Sequence, residues 1–301
     1  MMSLHVLGAG LVVLGAIGWG SLGLASTQLS QLGLSNLLIT GLRIIGSVVV
    51  LIFCLPLFYK SLRTLKTRHI PQLVLQSLLG MLGMTLFYFG AVRSVGPAIA
   101  VALLYTAPIW SLILSYIFFK EQLSLKSISI TLLAVVGVGL MMVGSTNLNM
   151  SGVLFGLASG LCYATYGVLG KEIIQCYEPN FLLFSSMMIS AVAIIPFLNA
   201  NEINIMLQGL NIEMLGAMFL LIVIGTLLPF ALFTQGLKYL KASQASIYTI
   251  FEPLTAVLLA SFLIGIQMSN LQIIGIGLII SVALFNIIFN MFEKSPIRQY
   301  P

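Results

Sequence analysis

Along this chain apolar residues gather in long runs, and polar or helix-breaking residues fall at the joints between them. A helix rises about 1.5 Å per residue, so about 20 apolar residues cross a hydrocarbon core about 30 Å thick. The pattern therefore predicts ten membrane helices, near residues 5–27, 35–58, 71–93, 97–118, 124–144, 151–171, 180–198, 213–236, 242–264 and 269–292. The joints are short, and too little sequence lies outside the runs for a soluble domain. The first run has no Lys or Arg before it and is too long for the core of a secretion signal, so it is expected to stay as a membrane helix.

The ninth run interrupts its own pattern. In ASQASIYTIFEP, Glu252 lies roughly 15 Å into the segment by helical rise, near the middle of the hydrocarbon core. Ionisable groups at that depth are costly and point to function. Pro253 lacks an N–H and clashes with the preceding turn, so it should bend the helix beside the carboxyl. Arg43 is the other charge inside a run, about 12 Å from the outer face.

Composition agrees with the pattern. Of 301 residues 59% are hydrophobic and 7% charged, with mean hydropathy +1.13, against about 25% charged in soluble domains. This describes an all-α integral membrane protein. The net charge of +6 sits on residues scattered through short loops, so it reads as a topology signal and not as a nucleic-acid surface. With the N-terminus inside, Lys60, Arg63, Lys66, Arg68, Lys120, Lys126, Lys171, Lys238, Lys241, Lys294 and Arg298 all fall on the cytoplasmic side, and Arg93 alone falls outside. Both termini are expected in the cytoplasm, with the chain multi-pass in the cell (inner) membrane. Cys54, Cys162 and Cys176 are spaced as packing residues and not as a disulfide or zinc framework, and no cofactor or metal is indicated.

The chain also repeats itself. Shifted by 145 residues, GAVRSVGPAIAVALLYTAP (90–108) falls on QGLKYLKASQASIYTIFEP (235–253) without a gap, pairing Arg93 with Lys238 and Pro108 with Pro253. Shifted by 144, NLLITGLRIIG (36–46) falls on NFLLFSSMMIS (180–190). Two halves are expected, 1–147 and 148–301, each of five helices. Five is odd, so the halves would cross the membrane in opposite senses, an arrangement that builds two alternating openings around one central site. Loop charges invert accordingly: four basic residues follow the second run, whereas 199–212 holds none and carries Glu202.

The Trp of AIGWGSLG (Trp19), the Arg of TGLRIIG (Arg43), FYFGAVRSVGPAIAVALLYTAP followed by KEQLS, and FEPLTAVLLASFLIG together resemble the drug/metabolite transporter superfamily, specifically its EamA-type ten-helix members. The resemblance spans nearly the whole chain. One departure is Gly265-Ile266, where such proteins often carry Gly-Glu, although Lys120-Glu121 is kept in the first half. It implies a basket of helices around a central cavity and secondary active transport of small metabolites, often amino acids or related amines and acids, mostly outward. Small molecules, membrane lipid and protons are the partners to expect.

Candidate cavity residues follow from the helices that the resemblance places centrally. Tyr248 and Glu252 are four apart and would share a helix face. Trp19 and Tyr163 hold matching repeat positions, and Tyr88, Tyr105, Tyr166 and Gln235 add polar groups whose rings or amide would meet a substrate or face a cation. Arg43 is assigned a structural or gating role, and Pro108 and Pro253 the hinges. Gly152, Gly156 and Gly160 allow close helix approach, with an internal partner or a second copy as alternatives, so a monomer and a homodimer both stand open. An intramembrane enzyme is the second reading and a passive channel the third. The chain contains no Asp, its histidines His5 and His69 lie at a terminus and in a basic loop, and Glu252 is the lone carboxyl within the runs, so no catalytic residues are assigned.

Overall fold

A computed structural model describes residues 4–57, 59–121, 124–141, 149–264 and 269–292. Among them every regular element is helical. The main helices are α1 (Leu4–Gln31), α2 (Asn36–Phe53), α3 (Thr67–Gly96), α4 (Ile99–Phe119), α5 (Leu125–Met141), α6 (Met150–Ile173), α7 (Pro179–Phe197), α8 (Ile212–Leu237), α9 (Ala242–Tyr248), α10 (Phe251–Ile264) and α11 (Asn270–Phe292). Seven of these, α1 to α4 and α6 to α8, are long and apolar enough to cross a membrane, and α5 and α11 contain shorter apolar stretches.

Local chemistry explains the boundaries. The Ser35 hydroxyl accepts the Leu38 N–H to start α2, and the side chains of Asn149 and Asn211 do the same for α6 and α8. Between α3 and α4 the chain reverses at Gly96, whose φ of +82° suits a residue without a Cβ. Lys120 closes α4 in the left-handed region (φ 53°), an uncommon conformation for a residue with a side chain, and so turns Glu121 back toward the helix end.

Irregularities recur at the repeat spacing. A π-helical stretch occupies Gln76–Gly83 in α3 and Leu220–Leu227 in α8, 144 residues apart. A turn interrupts α4 at Tyr105–Thr106, just before Pro108, and another separates α9 from α10 at Thr249–Ile250, just before Pro253. Each proline cannot donate to the carbonyl four residues back, so the helix tightens and restarts. The run predicted as 242–264 is accordingly two helices. The starts of α2 and α7 are held alike: the Ser35 N–H donates to Glu202 Oε1 at 2.5 Å, from a short helix Ala200–Gln208, and the Glu178 N–H donates to Ser61 Oγ at 3.4 Å, from a short helix Tyr59–Arg63.

The glycine face of α6 is used inside the chain. A Cβ on Gly160 would stand 3.0 Å from the carbonyl oxygens of Leu103 and Leu104, and one on Gly156 would collide with Leu103. This lets α6 lie against the interrupted segment of α4. The principal core draws residues from each of α1 to α11, with Ile130, Ala134 and Val138 from α5, Leu254 from α10 and Ile279 and Val282 from α11.

Candidate functional site

Glu252 stands in the first turn of α10, partly buried, immediately after the interruption before Pro253. The Thr249 carbonyl accepts the Glu252 N–H at 2.9 Å, a tight turn in place of the helical pattern. Helix α1 approaches at Gly20, where a Cβ would lie 2.9 Å from the Glu252 carbonyl oxygen and 2.6 Å from Thr255 Cβ. The glycine therefore lets α1 seat the turn that carries the carboxyl.

Side chains from four helices lie within electrostatic range of that carboxyl: Arg43 of α2, Tyr88 of α3, Tyr105 of α4 and Tyr163 of α6. Tyr105 faces it without closing a well-formed hydrogen bond. Arg43 is only 7% exposed, yet its Nε has no hydrogen-bond partner, and the buried hydroxyls of Tyr105, Tyr163 and Tyr166 close no well-formed hydrogen bond, although Thr249 stands near the second and Ser186 and Gln76 near the third. Each such group left unpartnered in an apolar surround costs about 1–3 kcal/mol. Their gathering beside one carboxyl is what a site kept ready for a polar ligand requires.

The other predicted residues take different places. Trp19 packs against Tyr163, Phe230 and Phe233 with ring centroids 6.1, 4.8 and 5.5 Å apart, and Tyr166 joins the cluster at 5.2 Å from Phe230. These rings pack as one aromatic cluster that reaches the Glu252 group through Tyr163. Tyr248 is wholly buried, and its hydroxyl lies 3.2 Å from His5 Nε2. The turn at Thr249–Ile250 interrupts the helical register that the spacing of Tyr248 and Glu252 implies, so four-residue spacing does not give them a common face. Gln235 donates from Nε2 to Asn180 Oδ1 at 3.0 Å and ties α8 to α7.

Among the described residues there is a small, partly open pocket. It is lined by Ser111, Tyr163, Ala164, Gly167, Phe233, Ala242, Ser246 and Thr249, and of the groups around Glu252 it shares Tyr163. Sequence reasoning missed four features here. Gln76 is fully buried; its Oε1 accepts from Ser186 Oγ at 2.7 Å and its Nε2 has no partner. Ser111 and Ser115 are buried without partners, and His5 reaches Tyr248. An amide inside an apolar run was the visible signal for Gln76; serines are too common in membrane helices to signal by themselves.

Beyond the end of α4, Glu121 Oε2 accepts from Ser243 Oγ at 3.0 Å. Burial pushes the Glu121 carboxyl above its ordinary range, while Lys241, the Ser243 hydrogen bond and Lys171 pull it back.

Comparison with known proteins places this geometry. An uncharacterized transporter of Archaeoglobus fulgidus is 31% identical over 195 residues, covering 64% of this chain and 68% of the relative. The uncharacterized transporter YwfM of Bacillus subtilis is 30% identical over 194 residues, 64% of each chain, and YyaM of the same organism is 24% identical over 77% of each. A solved crystal structure superposes with a TM-score of 0.74 at 18% identity, over 98% of this chain and 99% of its own, which establishes the fold. The EamA-like transporter family matches residues 6–143 and again 150–288. The chain is thus a multi-pass membrane protein and belongs to the EamA-like transporter family.

Proposed function

We propose that this protein is a secondary active exporter of small metabolites bearing amine and carboxyl groups, working by alternating access and coupled to protons through Glu252. It is a carrier and not an enzyme. In this reading the ten predicted spans form two inverted five-helix repeats, with both termini on the cytoplasmic side of the inner membrane. The π-helical stretches, the two interruptions before proline and the paired contacts at the starts of α2 and α7 support the duplication, and the basic loops support the orientation.

The observation that carries the reading is the constellation of one carboxyl with a guanidinium and several phenols whose polar atoms lack partners. Arg43, Gln76 and the tyrosine hydroxyls offer hydrogen-bond donors to a carboxylate, and Glu252 offers a counter-charge to an ammonium. A zwitterion satisfies both at once. An arriving ammonium pairs with the Glu252 carboxylate, so a proton held there leaves as the substrate is captured. The aromatic wall of Trp19, Tyr163 and Tyr166 supplies the apolar side of the site.

The test is counterflow in liposomes holding the purified protein, run across amino acids, amines, nucleosides and organic acids. Saturable exchange that prefers zwitterions is expected. Flux that rises linearly with concentration would indicate a pore and end the carrier reading.

A further inference from the structure

Hydroxyl groups inside membrane helices ordinarily satisfy themselves on a carbonyl three or four residues back. This chain follows the habit at Ser47, Ser77, Thr85, Ser186, Thr234 and Thr249. Thr131 on α5 departs from it, and so, on one face of α4, do Ser111 and Ser115. The two serines are 1% and 0% exposed, lie one turn apart on α4, and have no hydrogen-bond partner. Ser111 lines the small cavity together with Ser246 and Thr249 at the end of α9, below the unpartnered hydroxyl of Tyr163. One turn further along α4, the Ser115 carbonyl accepts the Glu121 N–H at 3.4 Å, and the Glu121 carboxyl holds Ser243. Polar groups thus run continuously from the neighbourhood of Glu252 to the face of the bundle that carries Lys120, Lys171 and Lys241.

The far end of this lane is fastened. Glu121, turned back by the left-handed Lys120, bonds to Ser243 at the head of α9, with Lys241 and Lys171 close enough to attract it. Lys171 itself donates from Nζ to the Leu237 carbonyl at the end of α8, at 2.5 Å. The Glu121–Ser243 contact joins the first half of the chain to the second.

A row of buried hydroxyls without partners is unfavourable in a shut bundle and loses that penalty when water enters. We infer that Ser111, Ser115, Ser243 and Ser246 line the half of the permeation path that opens on the basic face, and that the Glu121–Ser243 contact is its closure. The inference rests on the transport reading above, and names residues that the central site does not include. Water entering the lane would reach Tyr163 and then Glu252, so this is also the side from which the carboxyl exchanges its proton in that open conformation.

The test reads access and not transport. In protein with Cys54, Cys162 and Cys176 replaced by alanine, a single reporter thiol is introduced by Ser111→Cys or, separately, by Ser246→Cys. A membrane-impermeant methanethiosulfonate is then applied to vesicles of each orientation. Slow labelling is expected from the basic face, and Ser243→Ala, which removes the fastening hydrogen bond but keeps both helices, should speed it about tenfold by shifting the shut and open populations. Labelling from the opposite face should stay slow. Unchanged rates at both reporters in Ser243→Ala, or faster entry from the opposite face, would overturn the assignment. Should labelling behave as expected while counterflow fails for every solute, the lane stands and the transport reading falls; the reverse pair of results removes the lane alone.

Discussion

The family match covers the chain twice, and equivalent positions in the two halves differ in chemistry. Toward the basic face stand Ser111, Ser246 and Thr249; at a shift of 145 residues their counterparts are Ala256, Val101 and Leu104. Tyr248 and Glu252 answer to Leu103 and Ala107. Glu121, which fastens the polar side, answers to Ile266, which lies outside the described residues. The backbone irregularities are duplicated while the side chains are not. Duplication thus supplies two equivalent bends, and on the proposed transport reading divergence makes one route polar and the other apolar. A hydrated route exposes its ligand to water early; an apolar one closes by exclusion of water and needs no ion pair to shut.

The largest effect is expected where the two routes meet. Glu252→Gln keeps shape and hydrogen bonding but cannot titrate. Transport driven by a pH gradient should fall by about 100-fold or more, the loss of a coupling free energy of a few kcal/mol, and solute binding, read by tryptophan fluorescence, should weaken and lose its pH dependence because the counter-charge to the ammonium is gone. A variant that transports with wild-type rate and pH profile would make the carboxyl a structural group and leave the comparison without a centre.

Next in size is the packing beneath the bends. Gly160→Leu drives a side chain into Thr106 Oγ1 and the carbonyls of Leu103 and Leu104, and the two carbonyls belong to backbone that cannot swing aside. A destabilisation of about 3 kcal/mol is expected from such overpacking, seen as a lowered melting temperature in detergent. Gly10→Ala, with open space around its Cβ, is the control. Equal melting of both variants would mean that α6 does not support the interruption in α4.

How much of this could be read in the sequence differs by kind. The runs and their breaks were legible, since hydrocarbon thickness fixes helix length and proline marks both interruptions. Arg43 and Glu252 were legible as a pair of charges at similar depth. What proline does to register was not: it separates Tyr248 from Glu252 and sends its hydroxyl toward His5, a residue whose position near the N-terminus suggested no contact. Residues 199–212 read as a plain loop, yet Asn199 caps a helix there and Glu202 reaches Ser35. Ser111 and Ser115 were silent, because an unpartnered hydroxyl is defined by its surroundings and not by its letter.

A smaller effect tests the polar route directly. Ser111→Ala with Ser115→Ala removes two buried hydroxyls that lack partners, so the shut conformation should gain about 1 kcal/mol. Labelling of the Ser246→Cys reporter from the basic face should then slow about fivefold. Faster labelling would show that these hydroxyls bond in the shut state and not in the open one.

The smallest effect concerns protonation of Glu121, and its sign follows from linkage. In the shut conformation burial raises this carboxyl above its ordinary value of 4.5, against the pull of Lys241, Ser243 and Lys171, which are the groups that face it. Water in the open lane would return it toward that value, so the shut state binds the proton more tightly and acid favours closure. Glu121→Gln mimics the protonated form and keeps an oxygen to accept from Ser243, so it should hold the lane shut at every pH. Thiol ionisation alters labelling as well, but it cancels in the ratio of rates for the Ser111→Cys reporter with Glu121 and with Glu121→Gln. That ratio should stand at about 3 near neutral pH, a shift of well under 1 kcal/mol, and fall toward one as pH drops through the raised value toward 4.5. A ratio below one at neutral pH would mean that ionised Glu121, held by its lysines, is the stronger fastening, and the closure would then be an ion-pair latch that acid opens.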